Sequence, residues 1–350
     1  MNIVKVQASS SYEVKIGSSL LSTIGAEVAA ITNIGIAVIV SDSNVWPLYG
    51  AVAEESLEKA GYTVISYVFT AGESSKNGTT YLSLLNFLAE NHVSRSDCLI
   101  ALGGGVVGDL TGFVAATYLR GISYIQVPTT LLAAVDSSVG GKTAIDLDAG
   151  KNLVGAFYQP SLVLCDIDTL STLPVEVFRD GCAEVIKYGI LYDAKLFSHL
   201  RSNGLAFDRK AVITRCVELK RDVVAEDEFD TGSRMKLNFG HTIGHGIEKC
   251  SGFAISHGNA VSIGMAIVSR ASEKLEICAR ETACAVCDIL VQFGLPIQTS
   301  YSAQELYEAS LSDKKRSGST VKLIVPEQIG CCVIRPTSVD DLSGFIKAGL

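Results

Sequence analysis

Residues 238–248 read NFGHTIGHGIE and set His241 and His245 four positions apart. Four residues make about one helical turn, so both imidazoles would share one face of a helix. His257 follows in AISHGNAVSIGM, and three of the five histidines in the chain fall between 241 and 257. Imidazoles joined by a carboxylate suit a divalent zinc site, and a catalytic zinc usually has three protein ligands and one open position. The candidate carboxylate is Glu184 in DGCAEVIKYGI, which shares an otherwise apolar helix with Lys187. A lone helical histidine is ordinarily a satisfied core residue, whereas this cluster reads as a metal site. The spacing alone fits two histidine ligands, or one ligand beside one proton carrier. HTIGH lacks the glutamate of HExxH, so the motif does not support a metalloprotease.

A second stretch, LGGGVVGDL, contains Gly103-x-Gly105-x-x-Gly108 between an apolar run and a helical pattern. Glycines there let the backbone approach a pyrophosphate, and a helix N-terminus favours the anion. It is not the ordinary dinucleotide fingerprint, which occupies the first strand-to-helix turn with an acid about 20 residues later. An acid does end an earlier strand, at Asp42 in SDSN. It could accept a ribose hydroxyl or simply close a turn. GGKT at 140–143 resembles the end of a P-loop, but that pattern needs glycine at 136, where the chain has Asp136. Residues 135–155, with many Gly and Ser beside Lys142, Lys151 and Asn152, are expected to be a flexible loop suited to phosphate.

These residues need elements to position them. GIAVIVSD (35–42), YTVISYVF (62–69), DCLIALGGG (97–105) and ISYIQVP (122–128) read as buried strands with helices between them. That alternation predicts an α/β fold, a mostly parallel sheet with helices on both faces, and ligands beyond the carboxyl ends of its strands. From about residue 168 the pattern turns helical at 174–191, 209–226, 240–250, 258–278 and 281–294, with late strands at 320–326 and 331–336. Two domains are expected, 1–167 and 168–350, the second mainly helical and metal-binding. The stretch 200–208 reads as a plain linker.

With 48% hydrophobic and 19% charged residues, the chain should be globular. A formal net charge of −8 argues against nucleic acid and anionic membranes as partners, yet allows a small anionic substrate held by local lysines. MNIVKVQASSSYEVKIG shows no signal pattern and no apolar run is long enough to span a membrane, so a cytoplasmic location is expected. Ten scattered cysteines read as buried free thiols, with Cys284 and Cys287 packed as small apolar residues on one helix face. The pair Cys331–Cys332 has no catalytic reading.

RGISYIQVPTTLLAAVDSSVGGKTAID, GKNLVGAFYQP, GCAEVIKYGIL and LNFGHTIGHGIE, in this order, resemble the 3-dehydroquinate synthase family. The resemblance runs from YEVKIG to the DKK at 313–315. It implies a Rossmann-like domain and a helical domain, with NAD and zinc or cobalt as cofactors. It implies conversion of 3-deoxy-D-arabino-heptulosonate 7-phosphate to 3-dehydroquinate and phosphate in the shikimate pathway. The steps implied are transient oxidation at carbon 5, β-elimination of phosphate, re-reduction, ring opening and aldol closure.

Residue roles follow by position in the motifs. Glu184, His241 and His257 are implied as metal ligands, and His245 as the acid/base. Asp42, Glu73, Lys76, Gly104, Gly105, Asp109, Thr129 and Thr130 match the NAD set, with Val106, Val107 and Gly108 on the same turn. Thr169 and Thr172, with Leu170 and Ser171 between them, also line the cofactor in the family. Asp136, Lys142, Lys151, Asn152 and Lys187 match the reacting centre, Lys142 and Lys151 counting toward the cofactor too. Lys220 and Arg234 match the substrate carboxylate, Asn238 and Lys315 (beside Lys314) the phosphate, and Arg120 an arginine lent across a homodimer interface. The rival readings are a cyclase for a carboxylate-free sugar phosphate, an NAD- and metal-dependent polyol dehydrogenase, and a non-catalytic scaffold. The pair Lys220 and Arg234 argues against the first. A dehydrogenase would not need the phosphate set, and a scaffold would not need so many buried charges.

Overall fold

Runs of aliphatic and β-branched residues dictate the first half of the chain. Strands β1 (Asn2–Val6), β2 (Tyr12–Gly17), β3 (Ile36–Asp42), β4 (Thr63–Phe69), β5 (Cys98–Gly103) and β6 (Ser123–Pro128) enter one sheet. Strands β7 (Lys142–Leu147) and β8 (Gly150–Phe157) form a separate antiparallel hairpin, and β9 (Leu162–Asp166) returns to the sheet. In this computed structural model residues 1–311, 316–317 and 319–350 are described, so Lys314 and Lys315 lie outside the described residues.

The sheet order is β1-β2-β9-β6-β5-β3-β4, parallel throughout except for edge strand β1. Alternate side chains serve opposite faces. Ala37, Ile39, Ile100 and Leu102 pack in one cluster, with Ala53 and Leu57 of α2 (Trp46–Lys59) and Ile24 and Val28 of α1 (Ile24–Ala29). Val38, Val40, Leu99 and Ala101 pack in the other, with Leu84 and Leu88 of α3 (Gly78–Glu90) and Leu110 and Val114 of α4 (Gly105–Thr117). Burying each Leu or Ile contributes about 1.5–3 kcal/mol. The parallel sheet with helices on both faces is as expected.

Beyond residue 173 the chain is mainly helical, with α5 (Val175–Tyr192), α6 (Ala194–Asn203), α7 (Arg209–Glu226), α8 (His241–Cys250), α9 (His257–Lys274), α10 (Arg280–Gln292), α11 (Ala303–Leu311) and α12 (Val339–Gly349). Short β10 (Arg316–Ser317) with β11 (Thr320–Gln328) and β12 (Cys331–Ser338) makes a small antiparallel sheet. Among the described residues no helix is long and apolar enough to cross a membrane.

Two compact units result, Met1–Leu173 with Arg209–Phe229, and Pro174–Asp208 with Asp230–Leu350. The single boundary expected after residue 167 does not capture this interleaving. Helix α7 belongs to the first unit, where Asn2 donates to Thr214 (3.0 Å) and Lys220 pairs with Asp136. Three local expectations are corrected. Residues 135–155 are not one flexible loop, since most of them form the β7–β8 hairpin. The 200–208 linker is largely the end of α6 and a 3-10 turn at Gly204–Ala206. All ten cysteines are free, but only five are buried, and Cys284 is exposed, so the CxxC is not core packing.

Candidate active site

In the helical unit the site begins on α5. Asp180, Glu184 and Lys187 recur at helical spacing and therefore share one face. Asp180 Oδ1 accepts from Ser256 Oγ (2.5 Å) and from the backbone N–H of Asn259 (3.0 Å). That fastens the N-terminus of α9, where an acid is also favoured by the helix dipole. The approach requires glycine, because a Cβ on Gly258 would lie 2.0 Å from the carbonyl oxygen of Asp180. Helices α8 and α9 meet as closely, since a Cβ on Gly264 would lie 2.0 Å from the carbonyl oxygen of Gly240.

This packing delivers two histidines to one acid. Oε1 of the fully buried Glu184 lies 3.5 Å from His241 Nε2 and 3.6 Å from His257 Nε2. The ligand atoms of Glu184, His241 and His257 all fall within 4.8 Å of one another. Buried Lys187 pairs with Oε2 of Glu184. His241 Nδ1 faces the carbonyl of Phe239 at 3.0 Å, which keeps the proton there and leaves Nε2 as a lone-pair donor. Burial works against a charged His257, yet Glu184 and Glu248 more than offset it and raise its pKa to about 10. The pocket thus favours positive charge, and its donor set fits a divalent ion of the zinc type.

His245 lies one turn beyond His241, with ring centres 5.5 Å apart, and 6.1 Å from the ring of His257. His245, Glu248 and His257 form a second grouping inside the same 4.8 Å limit. Arg234 and Asn238 lie in the 3-10 helix Ser233–Asn238 that leads into α8, with Arg234 almost completely buried.

In the α/β unit, β3 runs on to β4 on one side while β5 runs on to β6 on the other. The crevice beyond the ends of β3 and β5 is therefore the switch point where such sheets bind nucleotides. Asp42 ends β3, and Gly104 and Gly105 join β5 to α4. Cβ atoms would press on this turn, 3.0 Å from Thr130 Cγ2 at Gly104 and 3.2 Å from Ser137 Oγ at Gly105. Val106, Val107, Gly108 and Asp109 continue the first turns of α4. The buried hydroxyls of Thr129, Ser137 and Ser138 have no hydrogen-bond partner among the described residues. A bare backbone turn, a helix N-terminus and orphaned hydroxyls fit a dinucleotide. Asp42 Oδ1 accepts from the N–H groups of Asn44 (2.8 Å) and Val45 (3.0 Å), so this acid does close a turn. Thr169, Leu170, Ser171 and Thr172 form a 3-10 helix after β9, and the hydroxyl of Tyr49 reaches Thr172 Oγ1 (2.6 Å) and the carbonyl of Thr169 (3.0 Å).

Around the hairpin, Lys76 Nζ lies 2.8 Å from Asn152 Oδ1, 3.0 Å from Glu73, 3.2 Å from Asp109 and 3.8 Å from Asp146. Burial opposes its charge, but Asp109, Glu73 and Asp146 more than offset that and raise its pKa. Burial likewise pushes Asp109 up to about 6, although Lys76 pulls the other way. Asn152 is held in left-handed backbone (φ 53°) while its N–H donates to Asp146 Oδ1 (2.8 Å). Lys142 opens β7 and Lys151 lies on β8. Lys220 Nζ contacts Asp136 twice, at Oδ1 (2.7 Å) and at the carbonyl (2.6 Å). Lys220 belongs to the first unit and Arg234 to the second.

Three contributors are absent from the sequence reading. Asp180 stands one turn before Glu184, Asp146 follows GGKTAI, and Glu248 closes the histidine motif three residues after His245. For Glu248 the signal was present, an acid on the histidine face of a helix.

The 3-dehydroquinate synthase N-terminal family model matches residues 66–180 and the C-terminal one residues 181–316. A 3-dehydroquinate synthase of Enterococcus faecalis is 44% identical over 343 residues, covering 96% of both chains. Among solved structures, 2-deoxy-scyllo-inosose synthase complexed with carbaglucose-6-phosphate, NAD+ and Co2+ is similar in fold, with TM-score 0.90 and 24% identity over 100% of both chains. The 2-epi-5-epi-valiolone synthase of Streptomyces hygroscopicus subsp. jinggangensis, with NAD+ and Zn2+ bound, gives TM-score 0.89 and 26% identity over 99% of this chain and 98% of its own.

Proposed function

Because the chain belongs to the 3-dehydroquinate synthase family, we propose that it converts 3-deoxy-D-arabino-heptulosonate 7-phosphate to 3-dehydroquinate and phosphate. The observation that carries this reading is the gathering of Glu184, His241 and His257 on one carboxylate oxygen, with Lys187 at the other. Nε2 of both histidines and Oε1 of Glu184 would hold the ion. The glycine turn at 104–105, the Thr129 hydroxyl and the Thr169–Thr172 segment would hold NAD, with Asp42 at the ribose.

When bound, NAD supplies reversible hydride transfer and a divalent zinc or cobalt ion supplies Lewis acidity at the neighbouring oxygen. The side chains of this protein do the rest. His245 carries the proton that leaves and rejoins the hydroxyl on carbon 5, where a near-neutral pKa is useful. Lys220, steadied by its contacts with Asp136, is a cation for the substrate carboxylate together with Arg234. Lys76 donates to the side-chain oxygen of Asn152 while Asp146 accepts from its backbone N–H, which together fix the residue at the site. Lys142 and Lys187 neutralise charge at the reacting centre, and the Arg234 fork pairs with the substrate carboxylate. Asn238 and Lys315 hold the phosphate, near the proton that this group helps remove.

A homodimer and a cytoplasmic location belong to the same reading. Support for the dimer role of Arg120 comes from its exposed turn, where Leu119 (φ 50°) and Arg120 (φ 68°) both take left-handed backbone. Substrate choice tests the reading. Turnover is expected with the heptulosonate phosphate and not with glucose 6-phosphate or sedoheptulose 7-phosphate. Faster turnover of either carboxylate-free sugar contradicts it.

A further inference from the structure

Glu248 has no part in the roles above, yet its carboxylate is buried on α8, on the face that carries His241 and His245. Burying a carboxylate is costly unless charge or hydrogen bonds meet it. Oε1 of Glu248 lies 3.6 Å from Nδ1 of His257, while Nε2 of the same ring lies 3.6 Å from Glu184. The imidazole therefore has one acid at each nitrogen. A histidine that gives one lone pair to a metal carries its proton on the other nitrogen, and that N–H needs an acceptor. For His241 the acceptor is the Phe239 carbonyl. For His257 the group that faces that nitrogen is the Glu248 carboxylate, at 3.6 Å. The end of α8 is pinned as well, because the Glu248 carbonyl accepts from Ser251 Oγ (2.8 Å) and from the N–H of Phe253 (2.8 Å).

We propose that Glu248 is a positioning residue for the metal centre, fixing the tautomer and ring orientation of His257 so that Nε2 faces Glu184. Its carboxylate also lies within 4.8 Å of a ring nitrogen of His245. This inference rests on the metal reading above.

The test uses the full chain stripped of metal and titrated with Co2+. Affinity is read by competition with a chromogenic chelator, and ligand geometry by the visible absorption of the bound ion. Wild type is expected to take one Co2+ per chain. Glu248→Gln keeps the shape and a weaker acceptor, and should bind Co2+ about 10- to 100-fold less tightly with altered absorption bands. Glu248→Ala should bind more weakly still. The isosteric Gln variant guards against misfolding, and thermal unfolding of the metal-free proteins checks it. Unchanged affinity and bands in Glu248→Gln overturn the inference alone. Two Co2+ per wild-type chain, one of them lost in Glu248→Gln, would make Glu248 a ligand and also overturn it. A wild-type chain that takes up no Co2+ overturns the metal reading and the inference with it.

Discussion

Nε2 of His241 lies 3.5 Å from Oε1 of Glu184, an acid on a different helix. His257 meets the same oxygen, while His245, one turn along α8, groups with Glu248 and His257 but not with Glu184. The two neighbours in HTIGH should therefore respond differently to mutation. His241→Ala is expected to lose its bound metal. His245→Gln should keep a full metal complement while kcat falls about 100- to 10,000-fold, the usual share of a general acid/base. Metal content by atomic absorption beside turnover decides this, and loss of metal from His245→Gln contradicts the assignment.

Helix packing sets this geometry. Gly264→Ala would put a methyl 2.0 Å from the Gly240 carbonyl, so α8 and α9 must part. Overpacking of this kind costs about 1–3 kcal/mol. A lower Tm accompanied by weaker Co2+ binding is expected. A lower Tm with unchanged binding would separate the packing from the site.

The Lys220–Asp136 pair is buried enough to be tested as a unit, with side-chain exposures of 6% and 22%. Removing one partner leaves the other charged and poorly solvated. Lys220→Met and Asp136→Asn should each destabilise, and the double variant should lose less than the sum by about 1–3 kcal/mol. Urea unfolding of the four proteins measures the coupling. Strict additivity would mean that Lys220 does not hold Asp136.

Burial pushes the Asp109 carboxyl from its ordinary 3.8 up to about 6. Between those values the folded chain binds more protons than the unfolded one, so this group lowers stability as pH rises through them. Relative to Asp109→Asn, the wild type should lose up to about 3 kcal/mol between about pH 4 and pH 6, with the loss complete above that window. Urea unfolding across the range checks the slope, and a flat difference between the two proteins contradicts it.

The legible parts of the fold were those with one strong physical cause. Strands β3, β5 and β6 are buried along most of their length and are mostly apolar, interrupted in β6 by Gln126. The β7–β8 hairpin was not legible, because β8 is largely exposed and its glycines suggest looseness. In fact Gly155 allows close pairing, since a Cβ there would lie 2.1 Å from the Thr143 carbonyl oxygen. The periodicity of α7 showed a helix but could not show which unit it joins. Histidine spacing marked a metal site, but not which of His241 and His245 meets Glu184, because that depends on how α5 and α9 pack. Cys284 looked like core and is exposed, as composition says nothing about which face of α10 it occupies.

The proposed activity is that of a cyclising lyase that uses NAD without net redox change. The most direct measurement follows phosphate release and NADH absorbance together, on the protein supplied with heptulosonate phosphate, zinc and NAD. Phosphate released in step with 3-dehydroquinate, with no net NADH, is the predicted result. Steady accumulation of NADH without phosphate would contradict it and indicate a polyol dehydrogenase instead.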